Sequence, residues 1–202
     1  MFGLFSKKLP HCDELFVKYL APWYPKDDRP NMTRPDMYVI NEFDGTPVDL
    51  DAIQYLPSEV LAQSREMVQT MVDSAKEDYQ DILKFEQLDL NVIDAVDKYY
   101  DREKIKSLLK ESDPKEFGNP YLVSVCEFGA TLGHLYAQLP GFGWLYSYPY
   151  YHSMIVHKET GYGVTVFDWA VKKFSEYGVD DGFAAKFQAA LDGIEKHQRS
   201  AP

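Results

Sequence analysis

The chain has 202 residues, of which 45% are hydrophobic and 26% charged, enough for one domain with a full core and too apolar for disorder over most of its length. Its 21 Lys and Arg stand against 32 Asp and Glu, a formal charge of -11, which repels phosphate backbones and anionic lipid and so argues against nucleic acid or membrane as partner. No apolar run approaches the roughly 18 residues needed to span a bilayer.

Cys12 and Cys126 are far apart, and Cys126 falls within an apolar helical pattern, so neither reads as part of a disulfide framework. The opening run from Met1 to Lys8 places its lysines after a very short apolar stretch, unlike a secretory signal, and Gly3 is misplaced for myristoylation. A cytoplasmic location is the expectation.

Seven of the twelve prolines, at 10, 22, 25, 30, 35, 47 and 57, lie in the first 57 residues, where they remove backbone donors and deny long regular elements. Residues 1–57 therefore read as a proline-rich arm packed on a core domain of residues 58–198. Leu15, Phe16, Tyr19 and Leu20 predict a short helix over 13–20, and a strand is expected at 37–41 before an Asp44-Gly45 turn.

After Pro57, apolar residues from Val60 to Leu83 recur at three- and four-residue steps and predict a long helix. Asn91 reads as the N-cap of a second helix with a break near Asp101, and Asp113-Pro114 as the start of a third that Gly118 soon ends. Asn119-Pro120 opens a helix to about residue 139 that is apolar in almost every direction, so it should be buried, with Gly129 and Gly133 admitting another backbone closely.

From Pro140-Gly141 the period shortens toward two, predicting a strand through Trp144, Tyr146 and Tyr148; a hairpin is expected around residues 158–161. Thr165 and Asp168 have capping-box spacing ahead of a helix stopping at Gly178, and a last amphipathic helix begins at Asp180. The pattern as a whole predicts an α+β fold: a single, mainly helical domain with a small antiparallel sheet.

Phosphate-loop, dinucleotide, zinc-finger, H-E-x-x-H and G-x-S-x-G patterns are all absent. One stripe of the apolar helix carries Glu127, Thr131 and His134, a carboxylate, a hydroxyl and an imidazole, which strand histidines His152 and His157 could join. A small hydrolase or metal-dependent enzyme would use this set; hydrogen-bonded residues at the edge of a core would look the same. Neither a metal nor a cofactor is expected.

Trp144, Tyr146, Tyr148, Tyr150 and Tyr151 crowd one short segment; large rings with polar tips suit binding interfaces, and half-buried strands use them as well. Asp73, Glu77, Asp78 and Asp81, with Glu66, make the polar face of the long helix acidic, and Asp94, Asp97, Asp101 and Glu103 do so for the next. These faces read as solvated surface or as a docking site for a basic protein.

Leu132-Gly133, Trp144, Val156, Gly161, Val166-Phe167 and Val171-Lys172, followed by an amphipathic helix, give about residues 122–192 an order of features that resembles small uncharacterised bacterial proteins of immunity or accessory type. Where that pattern has Glu and Pro, this chain has His134 and Val166. The resemblance implies an accessory or immunity role and brings no catalytic residues. The expected function is stoichiometric binding of another protein, in its most concrete form an immunity protein that occludes a basic toxin domain; a structural or scaffold subunit is a further alternative.

Overall fold

His11 opens the first helix, its side chain accepting from the Asp13 amide to cap α1 (Cys12–Leu15). The structure, a computed structural model, describes residues 8–24 and 47–200, with side chains to residue 196. Beyond α1 the coil widens into a π-helical turn, Phe16–Leu20, and then tightens at Ala21–Trp23. Leu15, Phe16, Tyr19 and Leu20 are all buried, as their spacing predicted, and join the same core as the long helices. The strand expected at 37–41 and the Asp44-Gly45 turn lie outside the described residues.

Asp49 caps the short α2 (Leu50–Ile53). The apolar stripe after Pro57 becomes α3 (Ser58–Leu83), burying Ser64, Val68, Met71, Val72, Ala75 and Tyr79 and ending at Lys84 in the left-handed region, φ 63°. Asp89 caps α4 (Leu90–Tyr99), its carboxylate accepting from the Asn91 amide at 2.8 Å. The cap is thus two residues earlier than the Asn91 pattern suggested. The predicted break is real: Asp101 caps α5 (Arg102–Glu111), accepting from the Lys104 amide at 2.9 Å.

Asp113 nucleates only a turn, accepting from the Lys115 amide at 2.9 Å, where the sequence suggested a helix. Asn119, the cap of the next helix, follows too soon for more than a turn to form. Its side chain accepts from the Leu122 amide at 3.0 Å and opens α6 (Pro120–Ala137).

A three-stranded antiparallel sheet follows, β1 (Phe142–Leu145), β2 (Met154–His157) and β3 (Tyr162–Val164), in that order, with Gly143 opposite Val156 and Val156 opposite Gly163. β1 stops before Tyr146, short of the Tyr148 predicted. The Ser147 amide donates to Ser153 Oγ at 3.0 Å instead of to a strand, and the chain turns through a cis Tyr148-Pro149 bond into a 3-10 turn at Tyr150–His152.

Thr165 stands at the N-cap of α7 (Val166–Lys173) without a side-chain capping bond of its own. The helix ends at Lys173, ahead of the predicted Gly178. A Cβ on Gly178 would lie 2.5 Å from the Lys172 carbonyl oxygen, so that glycine is where the chain folds back over the helix end. α8 (Phe183–Ser200) begins three residues after the expected Asp180 because its first amide, Phe183 N, donates to Asp97 on α4 at 2.7 Å.

The fold is α+β and mainly helical, built around α6, which touches α3, α4, α5, α7, β1 and β2. Two glycines make that centrality possible: a Cβ on Gly129 would sit 2.9 Å from Phe167 Cα, and one on Gly133 would sit 2.1 Å from the Trp144 ring. α8 closes over α6 through Phe183 against Phe128 and Phe187 stacked on Tyr136, centroids 5.7 and 3.9 Å apart. No described helix is long and apolar enough to cross a membrane.

Candidate functional site

The stripe Ser64, Met67, Met71, Ser74 and Asp78 runs down one side of α3 at three- and four-residue steps. Opposite its middle, Leu122, Val123, Cys126 and Glu127 present one side of α6. Between the two helices lies a cavity of about 130 Å³ whose apolar walls are Met71, Leu122, Val123 and Cys126. Phe117 and Tyr150 line it as well, Phe117 being 47% exposed. Its polar lining comes from Thr70, Ser74 and Glu127.

Glu127 is 2% exposed, and its Oε1 accepts from Ser74 Oγ at 2.7 Å. Burial raises its carboxyl to about pH 7, partly opposed by the Ser74 bond and reinforced by the Asp78 carboxylate beside it. The other groups around it do not titrate near neutrality. Burial pushes the Cys126 thiol and the Tyr100 phenol each up to about 12 and Tyr79 well above its ordinary value. Thr131, expected beside Glu127, donates back along its own helix to the Glu127 carbonyl at 2.8 Å.

The histidines do not converge on this carboxyl. His134, seven residues on, is displaced by roughly 10 Å along the axis and meets Gln138 Nε2 at 2.7 Å. Burial lowers its pKa, with Lys76 adding to the effect and Asp73 opposing it. His152 packs edge-on against Tyr24 with centroids 4.9 Å apart, and burial lowers it to about 4. His157 Nδ1 meets Thr160 Oγ1 at 2.9 Å within the hairpin, and burial lowers it too. Among the described residues the one cluster of three potential metal ligands is His11, Cys12 and Asp13. It is a local helix start, with the His11 ring already accepting from the Asp13 amide.

The aromatic segment divides by burial. Trp144 lies against Gly133 and stacks on Tyr146 with centroids 5.8 Å apart. Tyr146 receives the Arg65 guanidinium 5.4 Å from its centroid, and Tyr150 lines the cavity. Tyr148 is 53% exposed, whereas Tyr151 is buried and donates to the Leu20 carbonyl at 3.0 Å, so Tyr151 belongs to the core, not to a free surface. Ser147 ties this segment to α3 and to the residues before it: its hydroxyl meets Tyr55 Oη at 2.7 Å and its carbonyl accepts from Ser64 Oγ at 3.0 Å.

Of the acidic residues, Asp73 accepts from Gln69 and Lys76, and Glu77, Asp78 and Asp81 are exposed. Asp97, read from sequence as acidic surface, is instead the ion-pair partner of buried Lys173, and Asp101 is exposed while also capping α5. A second depression, about 320 Å³, is lined by Tyr162, Trp169, Tyr177 and Phe183 with Lys172 and Lys186. Both lysines face acids, Asp168 at 3.6 Å and Asp181 at 2.5 Å.

Sequence reading missed Ser74 and Phe117 as parts of a site. Ser74 follows the methionines of its stripe at a helical step but is one of three polar residues there, with Ser64 and Asp78, and so did not stand out; Phe117 stood in a turn-forming run and carried no signal. No family model, curated protein or solved structure matches the chain.

Proposed function

We propose that this chain works by stoichiometric binding of another protein through the face where α3 meets the 146–150 segment. The observation that carries this reading is the gathering of exposed apolar side chains there: Tyr55 at 67%, Tyr148 at 53%, Phe117 at 47% and Met67 at 36% exposure. Ser147 fastens Tyr55 and Ser64 to this segment, and the cavity joins Tyr150 to Phe117, so these residues line one face. Large exposed rings around a pocket, rimmed by charge, are the usual make-up of a binding surface. The neighbouring Glu66, Asp73 and Glu77 favour a basic partner by speeding its approach.

The resemblance over residues 122–192 suggests which partner to try first, a toxin with a basic domain, the chain then acting as its immunity protein. The test is affinity purification of the tagged chain from its own cells, comparing the parent with Tyr148→Ala and Phe117→Ala. The parent should retain a partner near one-to-one, and at least one variant should lose about 2 kcal/mol of affinity with its fold intact. A parent that retains no stoichiometric partner would overturn the reading.

A further inference from the structure

Glu127 is a buried acid lining a largely apolar space, and the size of that space limits what can reach it. About 130 Å³ is close to the ~150 Å³ that accommodates a benzene and well below the roughly 300 to 1,000 Å³ of small-molecule sites. It suits one long side chain better than a metabolite. The walls Met71, Leu122, Val123 and Cys126 can cover methylenes, and Phe117 and Tyr150 can flank them.

The carboxyl itself narrows the choice. Its Oε1 already accepts from Ser74, which takes one lone pair of the two-oxygen edge that a guanidinium uses, whereas an ammonium needs a single acceptor and brings rotatable donors. Asp78 beside Glu127 shares a hydrogen bond with it and adds to the negative charge there. An anionic occupant would meet repulsion, and a neutral amide or hydroxyl would pair with the protonated acid but leave the negative charge unbalanced above pH 7, whereas a cation offsets it.

We propose that the cavity between α3 and α6 receives a lysine side chain of the partner protein, its stem against Met71, Leu122, Val123 and Cys126 and its ammonium against the Glu127 carboxylate. The inference rests on the protein-binding reading above and names the residue that the partner inserts. In the free chain Glu127 holds its proton until about pH 7; the entering ammonium releases that proton to solvent, leaving an ion pair in place of a neutral acid. Cys126, Tyr79 and Tyr100, the other buried titratable groups facing it, stay protonated throughout this range, and Asp78 beside it is exposed.

Calorimetric titration of the purified chain tests this with n-butylammonium and Nα-acetyl-lysine N-methylamide as probes, and with butan-1-ol and sodium chloride at matched ionic strength as controls. Both ammonium probes should bind at pH 8 and about tenfold more weakly at pH 6, where most Glu127 is protonated. At pH 6 the heat should depend on the buffer, reporting proton release, an effect that should fade at pH 8, and Glu127→Gln should abolish binding. The pH dependence is read in the parent, so a misfolded variant would not spoil the result.

Absence of binding at pH 8, or equal binding of butan-1-ol, would overturn the proposal. Binding of butylammonium without the capped lysine would overturn it as well, by assigning the cavity to a free amine. None of these results would touch the wider protein-binding reading, which stands or falls on partner retention by the Tyr148 and Phe117 variants.

Discussion

Lys173 and Asp97 form an ion pair almost out of water: Nζ lies 3.1 Å from Asp97 Oδ1, with the lysine side chain 1% exposed. Nζ also donates to the carbonyls of Asp97 and Val179, and the other Asp97 oxygen accepts from Phe183 N, so α4, α7 and the start of α8 meet at one point. Burial still raises the Asp97 carboxyl despite the opposing pull of Lys173. Such a pair specifies geometry more than it stabilises. Lys173→Met should cost about 3 to 5 kcal/mol at neutral pH, because it strands a buried carboxylate. Urea unfolding should show the loss shrinking in acid as Asp97 takes a proton.

Glu127 gives the folded chain a distinctive pH dependence. Its carboxyl is raised from 4.5 to about 7, so between those values the native state holds a proton that the unfolded chain has released. The corresponding stability is complete below the unfolded value and is lost as pH rises through 7. Glu127→Gln keeps an acceptor for Ser74 and removes the titration. Relative to the parent it should gain on the order of 3 kcal/mol between pH 4 and pH 8, measured by urea unfolding. An unchanged difference would mean that Glu127 is solvated.

His152 acts in the opposite sense. Its pKa is lowered from 6.5 to about 4 by burial, and its Nε2 is buried without a hydrogen-bond partner among the described residues. The unfolded chain therefore binds the extra proton, and stability present above the unfolded value is lost as pH falls toward 4. His152→Phe keeps a ring against Tyr24 and should spare the chain an acid loss of about 3 kcal/mol. In the parent the two effects offset each other between about pH 4.5 and 6.5, so each variant's stability curve should be steeper there than the parent's.

The two glycines of α6 should respond differently to a methyl group. At Gly129 the obstruction includes Phe167 Cα, so Gly129→Ala has to push α7 away and should cost about 1 to 3 kcal/mol despite alanine's better helix propensity. At Gly133 the obstruction is the Trp144 ring, which is half-buried and able to swing. Gly133→Ala should therefore shift the tryptophan emission at a smaller cost in melting temperature. A stabilised Gly129→Ala would remove the close approach of α6 and α7 from the account of the core.

Tyrosine truncations in the 148–151 segment should separate core from surface. Tyr151→Ala removes a buried ring and its bond to Leu20, and should cost about 3 kcal/mol or more. Tyr148→Ala should change stability by less than about 0.5 kcal/mol. Thermal unfolding of the two variants decides whether the segment is divided as described.

Local rules carried far in this chain. The 3.6-residue stripes were enough to place α3, α6 and α8, and Asn119-Pro120 and Asp101 acted as caps because the bonds they make span only a few residues. The hairpin at 158–161 followed from its turn residues for the same reason. Where the sequence misled, a distant partner had intervened. Strand β1 ends at Leu145 because Ser153 takes the Ser147 amide, and α8 waits for Phe183 because Asp97 supplies its cap from another helix. Lys173 is buried in the last turn of α7, where its charge hid it from a hydrophobic pattern. The site divides in the same way. Glu127 stood out as a carboxyl in an apolar helix, but its raised pKa depends on burial beneath α3, on Ser74 and on Asp78. Those groups lie about fifty residues away in sequence, and only the packing of α3 on α6 brings them to it while leaving the histidines elsewhere.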